Sequence, residues 1–318
     1  MRLAAFIALA LIGCTSARAE PYHLIPGRVP LDWQGPDGNT VVLDAPQGLI
    51  VVDTGRSPTH AQAILDYAKQ RRRPIAAIVN SHWHLDHTTG NFDIRQSFPR
   101  AKVYASTAIE GALVGFLNKG RAQGDKLLAD SKTPEGQKAQ ILRGRYRGDH
   151  PDTLRPTDPV VRSGPMTMAG RRLDMHLAKF AATEGDVWIY DAASRTAIVG
   201  DLVVGLVPFM DTACAEGWSK ALDEIAAVPF RTLIPGHGDP MSRADFLTWR
   251  KAYNDFVACG WSNVDKQQCV DGWSREAAKF IDDGHRAYAR EAAAYYLDTR
   301  LRSSADEQQK YCKPLKPS

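Results

Sequence analysis

The 318-residue chain is short of cysteine, with five in total, and no two have the C-x-x-C spacing of a redox pair or a structural zinc site. It has no long Lys/Arg run interleaved with aromatics, and its formal charge of +4 is small for its length, which argues against a nucleic-acid partner. Gly and Pro are scattered and no internal repeat is present, so collagen-like, low-complexity and solenoid architectures are excluded. The one continuous apolar run, Leu3 to Gly13, is too short to span a bilayer, so no integral membrane segment is expected in the mature chain. What remains, 44% hydrophobic and 24% charged, is the composition of an ordinary globular protein with a sizeable core.

The apolar run follows Arg2 and precedes Ala17-Arg18-Ala19, the pattern of a secretory signal peptide cleaved after Ala19, so residues 1–19 are assigned to export and the mature protein to the periplasm or the exterior. Leu11-Ile12-Gly13-Cys14 also has the form of a lipoprotein box, and lipidation of Cys14 is the competing product. Cleavage after Ala19 leaves Cys214, Cys259, Cys269 and Cys312, an even number. In an oxidising compartment they allow two disulfides in three pairings, with Cys259–Cys269 the easiest closure. Four buried thiols are the alternative.

Strands and helices alternate along the mature chain. Residues 40–43 and 49–52 are short β-branched runs separated by Pro46-Gln47-Gly48, which predicts a hairpin. Ala61, Ile64, Leu65 and Ala68 recur with helical spacing after Ser57-Pro58, a cap and first-turn pair. Strands are expected at 75–79, 103–104, 187–190, 197–199 and 232–234, with a helix at 218–227. Residues 119–149 carry eight basic and four acidic side chains and read as a surface excursion, either a solvated helical face or a lid that attracts an anionic substrate. From Arg243 the chain reads as helical, with Phe246, Trp249, Tyr253, Phe256, Tyr288, Ala292, Tyr295 and Tyr296 expected in a core. The organisation is therefore an α/β domain over residues 20–240 with a helical C-terminal extension, 241–318, packed on it.

The chemistry concentrates in Ser81-His82-Trp83-His84-Leu85-Asp86-His87, directly after a strand. Residues i and i+2 of an extended segment point the same way, so His82 and His84 can converge on one ion, with Asp86 and His87 a turn further on. Imidazole plus carboxylate is a ligand set that suits zinc, and iron and manganese also accept it. Trp83, inside the cluster, either lines a pocket or packs beneath the loop.

His82, His84, Asp86 and His87 match the His-x-His-x-Asp-His signature of the metallo-β-lactamase superfamily, which the chain resembles in further motifs. Val51-Val52-Asp53-Thr54-Gly55 is similar to its strand-end aspartate motif, Val199-Gly200-Asp201 to its metal-bridging aspartate, and Pro235-Gly236-His237-Gly238 to its late histidine ligand, in the family's order over residues 35–240. The resemblance implies an αββα sandwich with a metal site at one edge, holding one or two zinc ions per chain. It implies that His82 and His84 hold the first ion, that Asp86, His87 and His237 hold the second, and that Asp201 bridges them. By the same resemblance Asp53 positions the histidine loop, and Asp86 binds metal and orients the nucleophile. His23, His60, His150, His176 and His285 match no motif of the family.

One position departs from the pattern. Where the family normally has a histidine ligand, the segment reads Ala181-Ala182-Thr183-Glu184-Gly185-Asp186, and the methyl group of Ala182 cannot bind a cation. The second site then dominates, or the first survives with Asp201 and extra water, or Glu184 supplies an oxygen. The implied activity is hydrolysis of a small ester, lactone, thioester or related substrate, since a bound zinc lowers the pKa of its water from roughly 15.7 to about 7. A non-catalytic metal- or metabolite-binding protein is the alternative. β-Lactamase activity is disfavoured because Asp201 stands where the dedicated β-lactamases use cysteine or serine. A mononuclear iron oxygenase is disfavoured because one of its ligands would be at Ala182. Substrate and oligomeric state are not legible.

Overall fold

The structure, a computed structural model, describes residues 21–31, 35–148 and 150–314. The export segment 1–19, with Cys14, lies outside the described residues, as does Asp149 at the end of the basic excursion.

Two six-stranded sheets form the centre of the molecule. The first is ordered β1 (His23–Ile25), β2 (Thr40–Ala45), β3 (Gly48–Val52), β4 (Ile75–Val79), β5 (Lys102–Ala105) and β6 (Asp158–Pro159). The second runs β12 (Met241–Ser242), β11 (Thr232–His237), β10 (Thr196–Val204), β9 (Gly185–Asp191), β8 (Arg171–Lys179) and β7 (Gly164–Met168). The predicted hairpin is β2–β3, antiparallel with Val42 opposite Val51. From β3 to β6 the pairing is parallel, and β10 pairs parallel with β11. The period-2 alternation of strands sorts their side chains. Val41, Leu43, Ile50, Val52 and Val79 meet Leu173, Met175, Val187, Ile189, Ile198 and Ile234 between the sheets. Val42, Leu49 and Val51 point the other way, onto Ile64, Ala68 and Ile94 of the helices Pro58–Arg71 and Asn91–Ser97.

The outer face of the second sheet is covered from the C-terminal half. Trp188, Val199 and Val203 pack with Trp218, Leu222 and Ile225 of helix Ala215–Ala227, and with Phe246, Trp249, Tyr253 and Phe256 of helix Arg243–Gly260. Helices thus flank both sheets, the αββα sandwich with a helical C-terminal region that the resemblance implied. The helix 58–71 starts as its sequence predicts: Ser57 Oγ accepts from the His60 N–H and Pro58 stands at the first position. Strands β7 and β8 carried no apolar run, because β8 buries Leu173 and Met175 and turns charged residues outward.

The C-terminal aromatics divide. Tyr296 is buried, but Tyr288 and Tyr295 are 38% and 54% exposed. Helix Arg286–Tyr296 buries the stripe Ala289, Ala293 and Tyr296, and the two other tyrosines fall off that stripe. The basic excursion is a pair of helices, Phe116–Ala129 and Glu135–Gly148, and the first of them has no buried residue. Two disulfides are present, Cys259–Cys269 and Cys214–Cys312, which resolves the three pairings and is consistent with an oxidising compartment. No helix among the described residues is long and apolar enough to cross a membrane.

Candidate metal centre

Three chain segments converge at one edge of the two sheets. Strand β4 ends at Val79 and leads into the loop 80–84 and the short helix Leu85–Thr88, which carry His82, His84, Asp86 and His87. Asp201 lies within β10, beside irregularities of register at Gly200, whose φ of +53° suits glycine and re-aims the strand. His237 closes β11. The Val187 N–H donates to the Ser81 carbonyl, tying the histidine loop to the second sheet.

The side chains form two groups of prospective ligands, His82 with His84 and Asp201, and Asp86 with His87 and His237. In the second, His87 Nε2 is 3.3 Å from His237 Nε2 and 3.6 Å from Asp86 Oδ2, and His237 Nε2 is 3.2 Å from Asp86 Oδ2. Asp201 Oδ1 joins them, 3.2 Å from His87 Nε2 and 3.5 Å from His237 Nε2. A tetrahedral ion with ligands at about 2.0–2.1 Å has ligand–ligand edges of about 3.3–3.4 Å, so these separations fit a cation of zinc's size. The other oxygen, Asp201 Oδ2, is 3.7 Å from His82 Nε2. One carboxylate thus faces both groups.

Electrostatics agree with a cation. His82 Nε2 is buried and has no hydrogen-bond partner, an arrangement that costs free energy unless a ligand satisfies it. Burial, with His87 and His84 alongside, holds the His82 imidazole well below its ordinary range. At His87 burial acts in the same downward direction but is outweighed by Asp201, Asp53 and Asp86, which hold it well above. Asp86 is pulled well below the usual carboxylate range: burial opposes this, and His87, His237 and Arg56 prevail. Three buried carboxylates, Asp53, Asp86 and Asp201, thus stand around four imidazoles, a balance that a divalent ion would complete.

The support beneath is built of hydrogen bonds. Asp53 Oδ2 is 2.9 Å from His87 Nδ1 and accepts from Ser81 Oγ, while Asp53 Oδ1 accepts from the Ser81 N–H. Asn39 Nδ2 donates to the carbonyls of Pro235 and Gly238 on either side of His237. A Cβ on Gly38 would lie 2.3 Å from His87 Cε1, so only glycine lets that backbone pass the ring. Neither Asn39 nor Gly38 carries a motif that would have marked it. Arg56, also unmarked in the sequence, reaches to 3.8 Å from Asp86 Oδ1 with its side chain 38% exposed.

Trp83 packs beneath the loop, buried with Ala108, Ile109, Ala112 and Leu154, and its ring meets His84 and Phe116. Ala182 is buried and brings no ligand atom. Glu184 belongs to neither ligand group, and its carbonyl accepts from the Phe180 N–H. The five other histidines lie outside both groups: His23 stacks on Tyr67, His60 faces Thr40, His150 stacks on Phe92, His176 stacks on Trp188 and His285 meets the Val29 carbonyl.

Comparison with known proteins places this geometry. The linear primary-alkylsulfatase of Pseudomonas sp. (strain ATCC 19151) is 26% identical over 227 residues, 63% of this chain and 41% of that protein. A hydroxyacylglutathione hydrolase of Synechococcus sp. (strain JA-3-3Ab) is 40% identical over 58 residues, 18% of this chain and 23% of that one. The chain therefore spans less than half the length of these curated relatives. Among solved structures, the stereoselective inverting sec-alkylsulfatase Pisa1 from Pseudomonas sp. matches with TM-score 0.55 at 21% identity, over 81% of this chain and 47% of that one. A metallo-beta-lactamase family protein from Thermus thermophilus matches with TM-score 0.56 at 16% identity, over 87% and 93%. These two likenesses show the fold. The sequence profile of the metallo-beta-lactamase superfamily matches residues 33–237, and the chain belongs to that superfamily.

Proposed function

We propose that the protein is an exported metallo-hydrolase that uses one or two zinc ions to cleave a small ester-type substrate, whether carboxylic ester, lactone, thioester or sulfate ester. The observation that carries this reading is the pair of ligand groups sharing Asp201. His82, His84 and Asp201 would hold one ion, and Asp86, His87 and His237, with Asp201 beside them, would hold the other. Bound zinc supplies Lewis acidity and lowers the pKa of water toward neutrality.

The chain's own residues do the rest. Asp86 turns Oδ2 toward His87 and His237 and Oδ1 toward Arg56 on the open side. It is catalytic in this reading, orienting the attacking water there. Asp53 keeps a carboxylate oxygen on His87 Nδ1, which would leave Nε2 as the nitrogen to bind an ion. Phe116 stands beside His84 and Trp83 and shields that side from water. Water adds to the carbonyl or sulfur centre, the ester bond breaks, and the proton that the water gives up passes to the leaving group.

Relatives that hydrolyse an alkyl sulfate or a hydroxyacylglutathione support a hydrolase within the superfamily. Ala182 favours a second reading, a metal-binding protein without turnover, because it removes the side-chain ligand that the superfamily pattern has at that position. The experiment is metal analysis of protein purified from the export compartment without chelator, followed by a panel of alkyl sulfates, glutathione thioesters, lactones, simple esters and β-lactams. Zinc with turnover of one class supports the hydrolase. Zinc with no turnover supports the binder, and no metal even after zinc is supplied overturns both.

A further inference from the structure

His84 contacts, outside the ligand groups, a residue that no motif marks. Thr212 is buried, and its Oγ1 lies 3.0 Å from His84 Nε2 and donates to the Ala182 carbonyl at 3.2 Å. A carbonyl can only accept and the hydroxyl has one proton, so both contacts are hydrogen bonds only when that proton goes to the carbonyl. The His84 contact must then run the other way, with Nε2–H donating to the Thr212 oxygen. That fixes the tautomer and leaves Nδ1 as the nitrogen with a free lone pair, since a neutral imidazole carries one proton.

We propose that Thr212 is a positioning residue for the metal centre: through a relay from His84 Nε2–H to Thr212 Oγ1 to the Ala182 carbonyl, it locks His84 with Nδ1 presented to the ion. The inference rests on the assignment of His84 as a ligand made above. It gives position 182 a part in the site through its backbone, in place of the side-chain ligand that alanine cannot supply. Outer hydrogen bonds of this kind set ring orientation and ligand basicity.

The segment carrying Thr212 is held on both sides by the C-terminal helices. Tyr296 donates its hydroxyl to Asp211 Oδ2 at 2.6 Å, Arg300 Nη2 donates to the Ala213 carbonyl at 3.1 Å, and Cys214 is bonded to Cys312. The Cys214 N–H also donates to the Ala181 carbonyl. Residues 211–214 therefore run as a braced strap beside 181–182, with a hydroxyl aimed at the ligand.

The test compares the full-length mature protein with Thr212→Val, which keeps the shape and removes the hydroxyl, and Thr212→Ser, which restores it. Zinc binding is read by competition with a chromophoric chelator, and the His84 tautomer by two-bond proton–nitrogen NMR correlation on chelator-treated protein. The expected result is an affinity at the site containing His84 that falls about 10- to 100-fold in Thr212→Val and recovers in Thr212→Ser. The Nε2–H tautomer should be single in wild type and Thr212→Ser and mixed in Thr212→Val. Equal affinity and an unchanged tautomer in Thr212→Val would overturn the proposal, as would a Thr212→Ser protein that behaves like Thr212→Val. If the wild type took up no zinc, the metal reading would fail, while the tautomer comparison would still decide the role of Thr212.

Discussion

Asp53 Oδ2 sits 2.9 Å from His87 Nδ1, and Asp53 holds that place in the left-handed region, with φ +58°. Aspartate and asparagine tolerate this backbone better than most side chains, so the strain is modest and the carboxylate is the reason for the residue. Its two oxygens bind the Ser81 N–H, the Ser81 hydroxyl and the His87 ring together, which locks the histidine loop to the end of β3.

Asp53→Asn tests that link with little disturbance of backbone. One oxygen becomes an NH2 group and must face either the Ser81 N–H or the His87 ring. Zinc affinity should drop about 10- to 100-fold with the fold intact, measured by chelator competition beside a circular dichroism spectrum. An unchanged affinity would show that His87 needs no orienting carboxylate.

Asp86→Ala removes a charged group that lies within 3.6 Å of both His87 and His237. Metal content should fall by at least one ion per chain, and turnover of any substrate found by at least about 100-fold. Full metal content with retained turnover would remove Asp86 from the site.

Asp186 predicts a pH effect. Buried beside Thr183, which donates to it twice, its carboxyl is pushed up to about 7 by loss of hydration, with Asp201 adding to the rise. In the unfolded chain it ionises near pH 3.8, so between that pH and about 7 the folded state holds the extra proton. This contribution lowers stability as pH rises through the window, by an amount on the order of 4 kcal/mol, and the loss is complete above about 7. Denaturant titrations of the metal-free protein across that range should show a less negative slope in Asp186→Asn than in wild type. Parallel curves would mean that Asp186 ionises normally.

The two disulfides should differ in weight. Cys214–Cys312 closes 98 residues and Cys259–Cys269 closes 10, which in the chain-entropy account corresponds to about 4.7 and 2.7 kcal/mol. Replacing the first pair with serine should therefore lower the chemical denaturation midpoint more than replacing the second. The reverse order would show that native packing outweighs loop closure here.

The candidate metal centre is legible in the sequence to the extent that its prospective ligands share a short stretch. His82, His84, Asp86 and His87 fall within six residues, and a strand followed by a turn leaves few ways to arrange them. Asp201 and His237 arrive from another sheet, and only their order along the chain and their resemblance to a family singled them out. Thr212, Asn39 and Gly38 had no such signal, because a hydroxyl, an amide or a missing Cβ acquires meaning only from what the fold sets against it. Tyr288 and Tyr295 show the same limit for packing: aromatic content marked their helix, and the phase of the buried stripe decided which rings went inside.

Every side chain proposed to hold zinc lies before residue 238, whereas the anchors of the strap at 211–214 lie at 296, 300 and 312. During synthesis the prospective ligands therefore emerge before the parts that steady Thr212. The strap beside the site thus depends on contacts from the far end of the chain and on the Cys214–Cys312 bridge. A protein cut or unoxidised at its far end would carry the full ligand set while lacking the framework that aligns it.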